Sequence, residues 1–231
     1  METGKTSKYF KYAIGEIILV VIGILIALSI NNWNERRKNV LKESLLIKNI
    51  IEDLNLDLIH INQSLDEVTS QMNVVDDLIG KALDNEKSLN YNETGLVRYS
   101  SDFRPITQQN HAESVSSLEN ESTRKVLQRY FLKEDQVLDM FKEYEDIIHN
   151  QVRPYLREVG MHNLYSLYEE SGEQGQFFLQ PKILEEQLKN VKFQQLLFER
   201  RIKTESFMGF LSELKILNLE LIKILGKNNS R

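Results

Sequence analysis

Residues 47–82 read IKNIIEDLNLDLIHINQSLDEVTSQMNVVDDLIGKA. Apolar side chains recur at Ile47, Ile51, Leu54, Leu58, Ile61, Leu65, Val68, Met72, Val75, Ile79 and Ala82, in steps of four and three throughout. Five heptads in that rhythm exceed the three or four that identify coiled-coil-like helix packing. Lys, Glu, Asp and Asn fill most of the intervening positions, which suits the wet side of such a helix. Further apolar residues at Ile50, Leu56, Ile59 and Leu78 widen the stripe, favouring a multi-helix bundle over a bare two-stranded coil.

Upstream, Tyr12 to Ile30 reads YAIGEIILVVIGILIALSI, an almost unbroken apolar run. The 21 steps from Tyr12 to Trp33 make roughly 32 Å of helix, close to the hydrocarbon thickness of a bilayer. Tyr9 and Tyr12 stand before the run and Trp33 after it, where amphipathic rings anchor at a membrane interface. Lys5, Lys8 and Lys11 close one flank, and Arg36, Arg37 and Lys38 the other. The reading is a transmembrane helix over 12–33, with a basic leader at 1–11 and the lipid bilayer as its partner. A cleaved secretory signal competes with it, because Ile17 to Ile26 has the length of a signal core and Ala27-Leu28-Ser29 resembles a cleavage site. Against that, Ser29 is followed by Ile30 and the apolar stretch exceeds what a signal needs.

Glu16 lies about one turn inside the run. At the interface, beside Lys8, Lys11 and Tyr12, it sets the depth of the helix; deeper, it would seek a polar contact with another helix. Gly15, Gly23 and Ala27 fall at multiples of four and form a small-residue stripe that could support such a contact, and Gly23-x-x-x-Ala27 is the complete small-xxx-small pair. Gly15, Glu16, Gly23 and Ala27 are therefore the candidate membrane-helix contact.

The string YAIGEIILVVIGILIALSINNWNE, Tyr12 to Glu35, resembles the signature of a family of uncharacterised single-span bacterial membrane proteins, filed as a domain of unknown function. The resemblance implies a bacterial inner-membrane protein with a helical domain after the span and no established activity. Many members carry a longer, more basic leader than the 11 residues here. Lys and Arg near the span number more on the C side, counting Lys42 and Lys48, which favours a cytoplasmic C side. A long following domain translocates largely regardless of such charges, and a basic leader usually stays inside. The expectation is an extracytoplasmic C-terminal domain.

The chain has 231 residues, three prolines, ten glycines and no cysteine. So few breakers among abundant Leu, Ile, Glu and Lys mean long helices and few turns. Without cysteine there are no disulfides or thiolate metal sites, and a mixed net charge of −5 offers no basic surface for nucleic acid. No proline interrupts Asn34 to Leu83, so the span is expected to continue as a stalk. Asp84 to Asn110 reads as a connection with a short ordered piece near Leu96 to Tyr99. Leu127, Tyr130, Val137, Phe141, Tyr144, Ile148, Val152 and Tyr155 predict a helix from about Ala112 to Val159, bent near Pro154. Gly160 and Ser171 to Gly175 mark a break around a short turn at Asn163 to Tyr168. A last helix is expected from Pro181 to Leu225, stopped by Gly226. The fold class is all-α: one N-terminal membrane helix continuing into a long heptad-patterned helix, within an antiparallel helical bundle over 34–226, then a tail at 227–231.

Chemistry is sparse. Asp57-Leu58-Ile59-His60 and Asp146-Ile147-Ile148-His149 repeat a carboxylate-x-x-His spacing that chelates one metal of a dinuclear site in some bundles. The heptads turn His60 to the flank and Asp146 and His149 away, and two further inward carboxylates are missing, so no metal or other cofactor is expected. His111 and His162 fall in connections without a partner pattern, and Tyr130, Phe131, Phe141, Tyr144, Tyr155, Tyr165 and Tyr168 read as core rather than a ligand pocket. Phosphate loops, nucleophile elbows and HExxH motifs do not occur. The functional expectation is a non-enzymatic, membrane-anchored bundle acting by self-association or through a protein partner, as a scaffold or a sensor-like domain. Eleven leader residues are too short for a signalling module, so a sensor would need a partner to bear the signal. The alternatives are an accessory subunit of a membrane complex and a metal-dependent bundle enzyme.

Overall fold

The computed structural model describes residues 3–84, 86–168 and 177–229, with side chains from Ile14 to Lys227. Among them the fold is all-α: α1 (Thr3–Leu83), α2 (Thr107–Val115), α3 (Glu121–Asp146), α4 (Arg153–Glu158), α5 (Pro181–Gln187) and α6 (Val191–Asn229). Two compact units divide the chain, one ending at Asn49 and the other beginning at Ile50. In the first, α1 is exposed from Ile14 to Lys42, and Lys38 pairs with Glu35 at 3.0 Å. The second is the bundle.

Three helices of the bundle carry buried stripes of the same period. On α1 the stripe is Ile50, Leu54, Asp57, Ile61, Ser64, Val68, Gln71, Val75 and Leu78, each at most 4% exposed. On α3 it is Thr123, Leu127, Tyr130, Glu134, Val137 and Tyr144; on α6, Phe193, Leu197, Arg200, Thr204, Phe207, Leu211, Leu214, Asn218, Leu221 and Leu225. Steps of three and four keep each row on one face of a 3.6-residue helix, so all three stripes can share one interior. The period is the expected one, but its phase on α1 differs. Ile51, Leu58, Leu65 and Ile79 flank the core half-buried, while the buried partners of Leu54, Ile61, Val68 and Val75 include the polar Asp57, Ser64 and Gln71.

Cross-helix bonds fix the directions. Gln71 meets Tyr144 and Arg200, whereas Leu54 and Tyr130 meet Asn218. Helix α6 therefore runs antiparallel to α1 and α3, while α1 and α3 run parallel to each other, where an antiparallel bundle would set those two successive long helices in opposite directions. The connection makes this possible by returning along α1. It passes through a 3-10 turn at Thr94–Arg98, then an extended stretch, and α2 ends the return with Asn110 and His111 on Asp53.

The expected second helix is two. A turn at Ser116 to Asn120 separates α2 from α3, whose first amides are capped by Asn120 Oδ1, accepting from Thr123 N at 3.0 Å. Near Pro154 the helix widens into a π-turn, Ile147–Val152, before resuming as α4. Proline has no donor for the carbonyl one turn earlier, and the widened turn absorbs the misfit without ending the helix. Gly160, at φ +67°, closes α4 with the left-handed residue of a Schellman motif: Gly160 N donates to Arg157 O at 3.1 Å and Met161 N to Leu156 O at 2.9 Å. The last expected helix also divides, since Asn190 stops α5 and its side chain accepts from Lys192 N at 2.9 Å as α6 starts. Gly226 does not stop α6, which continues to Asn229. Ser171 to Gly175 lies outside the described residues. The chain around it is drawn together where Asn163 N donates to Phe178 O and Gln180 N to Met161 O.

Trimming a fully buried stripe residue leaves a cavity, so Ile61→Ala is expected to lower stability by about 2–5 kcal/mol. His60→Ala, one residue away and exposed, is expected to change it by less than about 0.5 kcal/mol. Urea unfolding followed by circular dichroism reads both.

Candidate functional site: a polar ladder in the bundle and an apolar run outside it

Asp57, Ser64 and Gln71 stand seven residues apart on α1 and each makes a bond that leaves the helix. Asp57 accepts from Ile106 N at 2.8 Å, Thr107 N at 3.1 Å and Thr107 Oγ1 at 2.5 Å. Ile106, the N-cap of α2, has no capping side chain of its own, so a carboxylate from another helix satisfies the free amides there. Ser64 Oγ donates to Asp102 O at 2.6 Å. Gln71 Oε1 accepts from Tyr144 Oη at 2.5 Å and from Arg200 at 2.8 Å.

Arg200 is fully buried. Its guanidinium donates to Gln71 Oε1, to Thr204 Oγ1 at 3.0 Å and to Tyr99 O at 3.0 Å, and it lies 5.0 Å from the centre of the Tyr144 ring. Burial pulls its pKa below the usual arginine value. Tyr144 donates to Gln71 and accepts from Ser101 N at 2.9 Å, and burial pushes its pKa up. Phe207 stacks on the same ring at 4.8 Å. One cation thus ties α1, α3, α6 and the connection together through neutral acceptors, an arrangement that fixes register more than it adds stability.

The lower rung holds a second buried carboxyl. Glu134 on α3 is fully buried and neither of its oxygens has a hydrogen-bond partner at good geometry. Burial, then the nearby Asp57 carboxylate, raise its pKa to about 9, so it is protonated at neutral pH. Beside it, Tyr130 Oη accepts from Asn218 Nδ2 at 2.9 Å, and the same amide donates to Leu54 O at 3.0 Å.

Of the two carboxylate-x-x-His pairs, Asp57 is buried on its cap while His60 is exposed, and Asp146 and His149 are both exposed. The structure does not bring the pairs together. His111, expected to be solvated or locally hydrogen-bonded, is buried with Nε2 at 2.9 Å from Asp53 Oδ2, 58 residues away in sequence. His162 pairs with Leu179 in an isolated bridge, and burial with nearby Arg98 and Arg157 lowers its pKa. Tyr165 and Tyr168, expected in the core, are 58% and 70% exposed, since the short 3-10 turn Leu164–Leu167 has no buried face.

The N-terminal candidates lie on a helix exposed all round among the described residues. Every residue from Ile14 to Ile30 is exposed, including Gly15, Glu16, Gly23 and Ala27, and a Cβ added at Gly15 or Gly23 would meet nothing within 4 Å. Trp33 is exposed, with Arg37 5.8 Å from its ring centre. Tyr9 and Tyr12 lie on α1, but their side chains are outside the described residues. An 18-residue window here has a mean hydropathy of 2.5 and no buried share, which makes α1 long and apolar enough to cross a membrane.

Glu134 should make the bundle sensitive to alkali. Its pKa is higher folded than unfolded, so its stabilising contribution is whole below about 4.5 and is lost as pH rises towards about 9, at up to about 1.4 kcal/mol per pH unit. Glu134→Gln is expected to flatten that slope and to raise the melting temperature at pH 8, read by thermal denaturation across pH. Asp57→Ala is expected to cost about 1–3 kcal/mol by freeing buried amides, and to speed hydrogen exchange at Thr107.

A profile described as a family of unknown function, DUF6090, matches residues 16–94, from the apolar run to the start of the 3-10 turn. No curated protein and no solved structure matches the chain. Over that first third, the chain is similar to a family whose role is unassigned.

Proposed function

We propose that the chain is a single-pass protein of the bacterial inner membrane, inserted through residues 12–33, whose helical bundle works by protein contact and not by catalysis. The observation that carries this reading is the exposed apolar run. From Ile17 to Ile30 the large aliphatic side chains are 47–74% exposed, far more contiguous apolar surface than water tolerates on a folded monomer. A bilayer removes that penalty, and Trp33 with Arg37 stands where an interfacial anchor belongs. In that setting Gly15, Glu16, Gly23 and Ala27 form the face on which another membrane helix would pack.

The interior of the bundle supports a role without chemistry. Asp57, Ser64, Gln71 and Arg200 are engaged in bonds that hold helices and connection together, and those are the bonds a scaffold or a sensor-like domain needs. The bundle lies outside the cytoplasm in this reading, since a long domain crosses largely regardless of flanking charge.

The full chain is expected to stay with the membrane pellet through an alkaline wash and to leave it only with detergent. Val21→Arg with Leu25→Arg, each costing about 3 kcal/mol at mid-bilayer, is expected to release it. A chain that remains in the supernatant, folded and monodisperse, overturns the reading. Alkaline phosphatase fused after Arg231 is expected to be active, and a lit cytoplasm-active reporter would reverse the orientation.

A further inference from the structure

Opposite its core stripe, α6 carries a second row with the same period: Val191, Gln195, Phe198, Ile202, Glu205, Gly209, Ser212, Ile216, Leu219 and Lys223. Every member is exposed, and the large apolar ones are 37–68% exposed. A helix whose outer face repeats apolar or small residues in steps of three and four is built to pack on both sides. Gly209 sharpens the point. Glycine in mid-helix costs about 1 kcal/mol relative to alanine, and a Cβ at Gly209 would meet nothing within 4 Å, so no contact among the described residues accounts for it.

We infer that the outer face of α6 is a homodimer interface, in which α6 pairs in parallel with α6 of a second copy through Phe198, Ile202, Gly209, Ser212, Ile216 and Leu219. This rests on the reading that the protein acts by contact with other chains, but not on membrane attachment. Charge selects the occupant and its direction. Arg201, already bridged to Asp76 and Glu205, and Lys215 edge one side of the row; Glu199, Glu220 and Glu213, the last already bridged to Lys133, edge the other. In a parallel pair each edge meets the opposite edge of the second copy, so Lys215 faces Glu220 of the other chain twice over. An antiparallel pair brings like edges together, and with Gly209 facing Ser212 it sets Glu199 beside Glu220. Glu205, on the row itself, is drawn aside by Arg201, which donates to it at 2.8 Å. Gly209 and Ser212 sit mid-row, where small residues let two helices approach closely.

The natural absence of cysteine makes the test direct. Ser212→Cys in the full chain, oxidised both in native membranes and in detergent, is expected to give a disulfide-linked dimer. Asp135→Cys, exposed on α3, is expected to stay monomeric. Equal crosslinking of the two, or none at Ser212, overturns the interface. A mixture of Phe198→Cys and Leu219→Cys chains is expected not to crosslink, and a strong heterodimer band overturns the parallel direction. Phe198→Glu with Ile216→Glu should halve the protein mass measured by light scattering in detergent while leaving helical circular dichroism unchanged; an unchanged mass overturns the proposal. If the chain proves not to be membrane-bound, the detergent arm still decides the dimer, so the two readings fail separately.

Discussion

The bundle depends on matching seven residues of helix to a returning length of extended chain. Seven residues advance α1 by about 10.5 Å. Asp57, Ser64 and Gln71 use that interval to hold the connection at Thr107, at Asp102 and, through Tyr144 and Arg200, at Ser101 and Tyr99. An extended backbone covers the same distance in about three residues, so the three from Tyr99 to Asp102 run nearly taut and the five to Thr107 have slack to turn into α2. With the connection fastened there, α3 can start at the same end of the bundle as the stripe on α1 and run alongside it. The parallel pair, and the place left for α6, follow from those three polar side chains.

Much of this was legible in the residues. The period of α1, the parting at Gly160, the proline that opens α5 and the short ordered piece in the connection all announce themselves, because each is a local preference of backbone or spacing. The phase of α1 does not. Leu58 and Leu65 outscore Asp57 and Ser64 on any apolar count, yet the leucines are only half-buried while the polar pair is turned fully inward, and Gln71 is buried beside Met72, since each of the three polar groups finds a partner that the folded connection, α3 or α6 supplies. A clue was present: the three stand at strict seven-residue intervals and in step with Leu54, Ile61 and Val68. Glu134, Arg200 and Asn218 hide for the same reason, being polar members of stripes otherwise aliphatic or aromatic. Pro154 announces a bend but not the π-turn before it, because sequence marks the misfit and not how the helix absorbs it.

The two exposed apolar features differ in kind. Between Ile14 and Ile30 almost every position is greasy all round, which suits a solvent that is itself apolar. On the outer face of α6 the apolar residues keep a period and are edged by charge, which suits a partner with the shape of a helix. A bundle with a rigidly specified interior and a patterned exterior separates holding its own shape from meeting others, so changes to one need not disturb the other.

Asn218 joins the backbone of Leu54 across 164 positions of chain, and that span has a consequence for biogenesis. The inward face of α1 emerges from the ribosome long before α6 exists to cover it. Until α6 has been made, the inward leucines of that early helix lack part of their cover and Gln71 lacks Arg200. Contacts this distant in sequence slow assembly, and a chain cut short before α6 would leave the inward face of α1 without the helix that covers it.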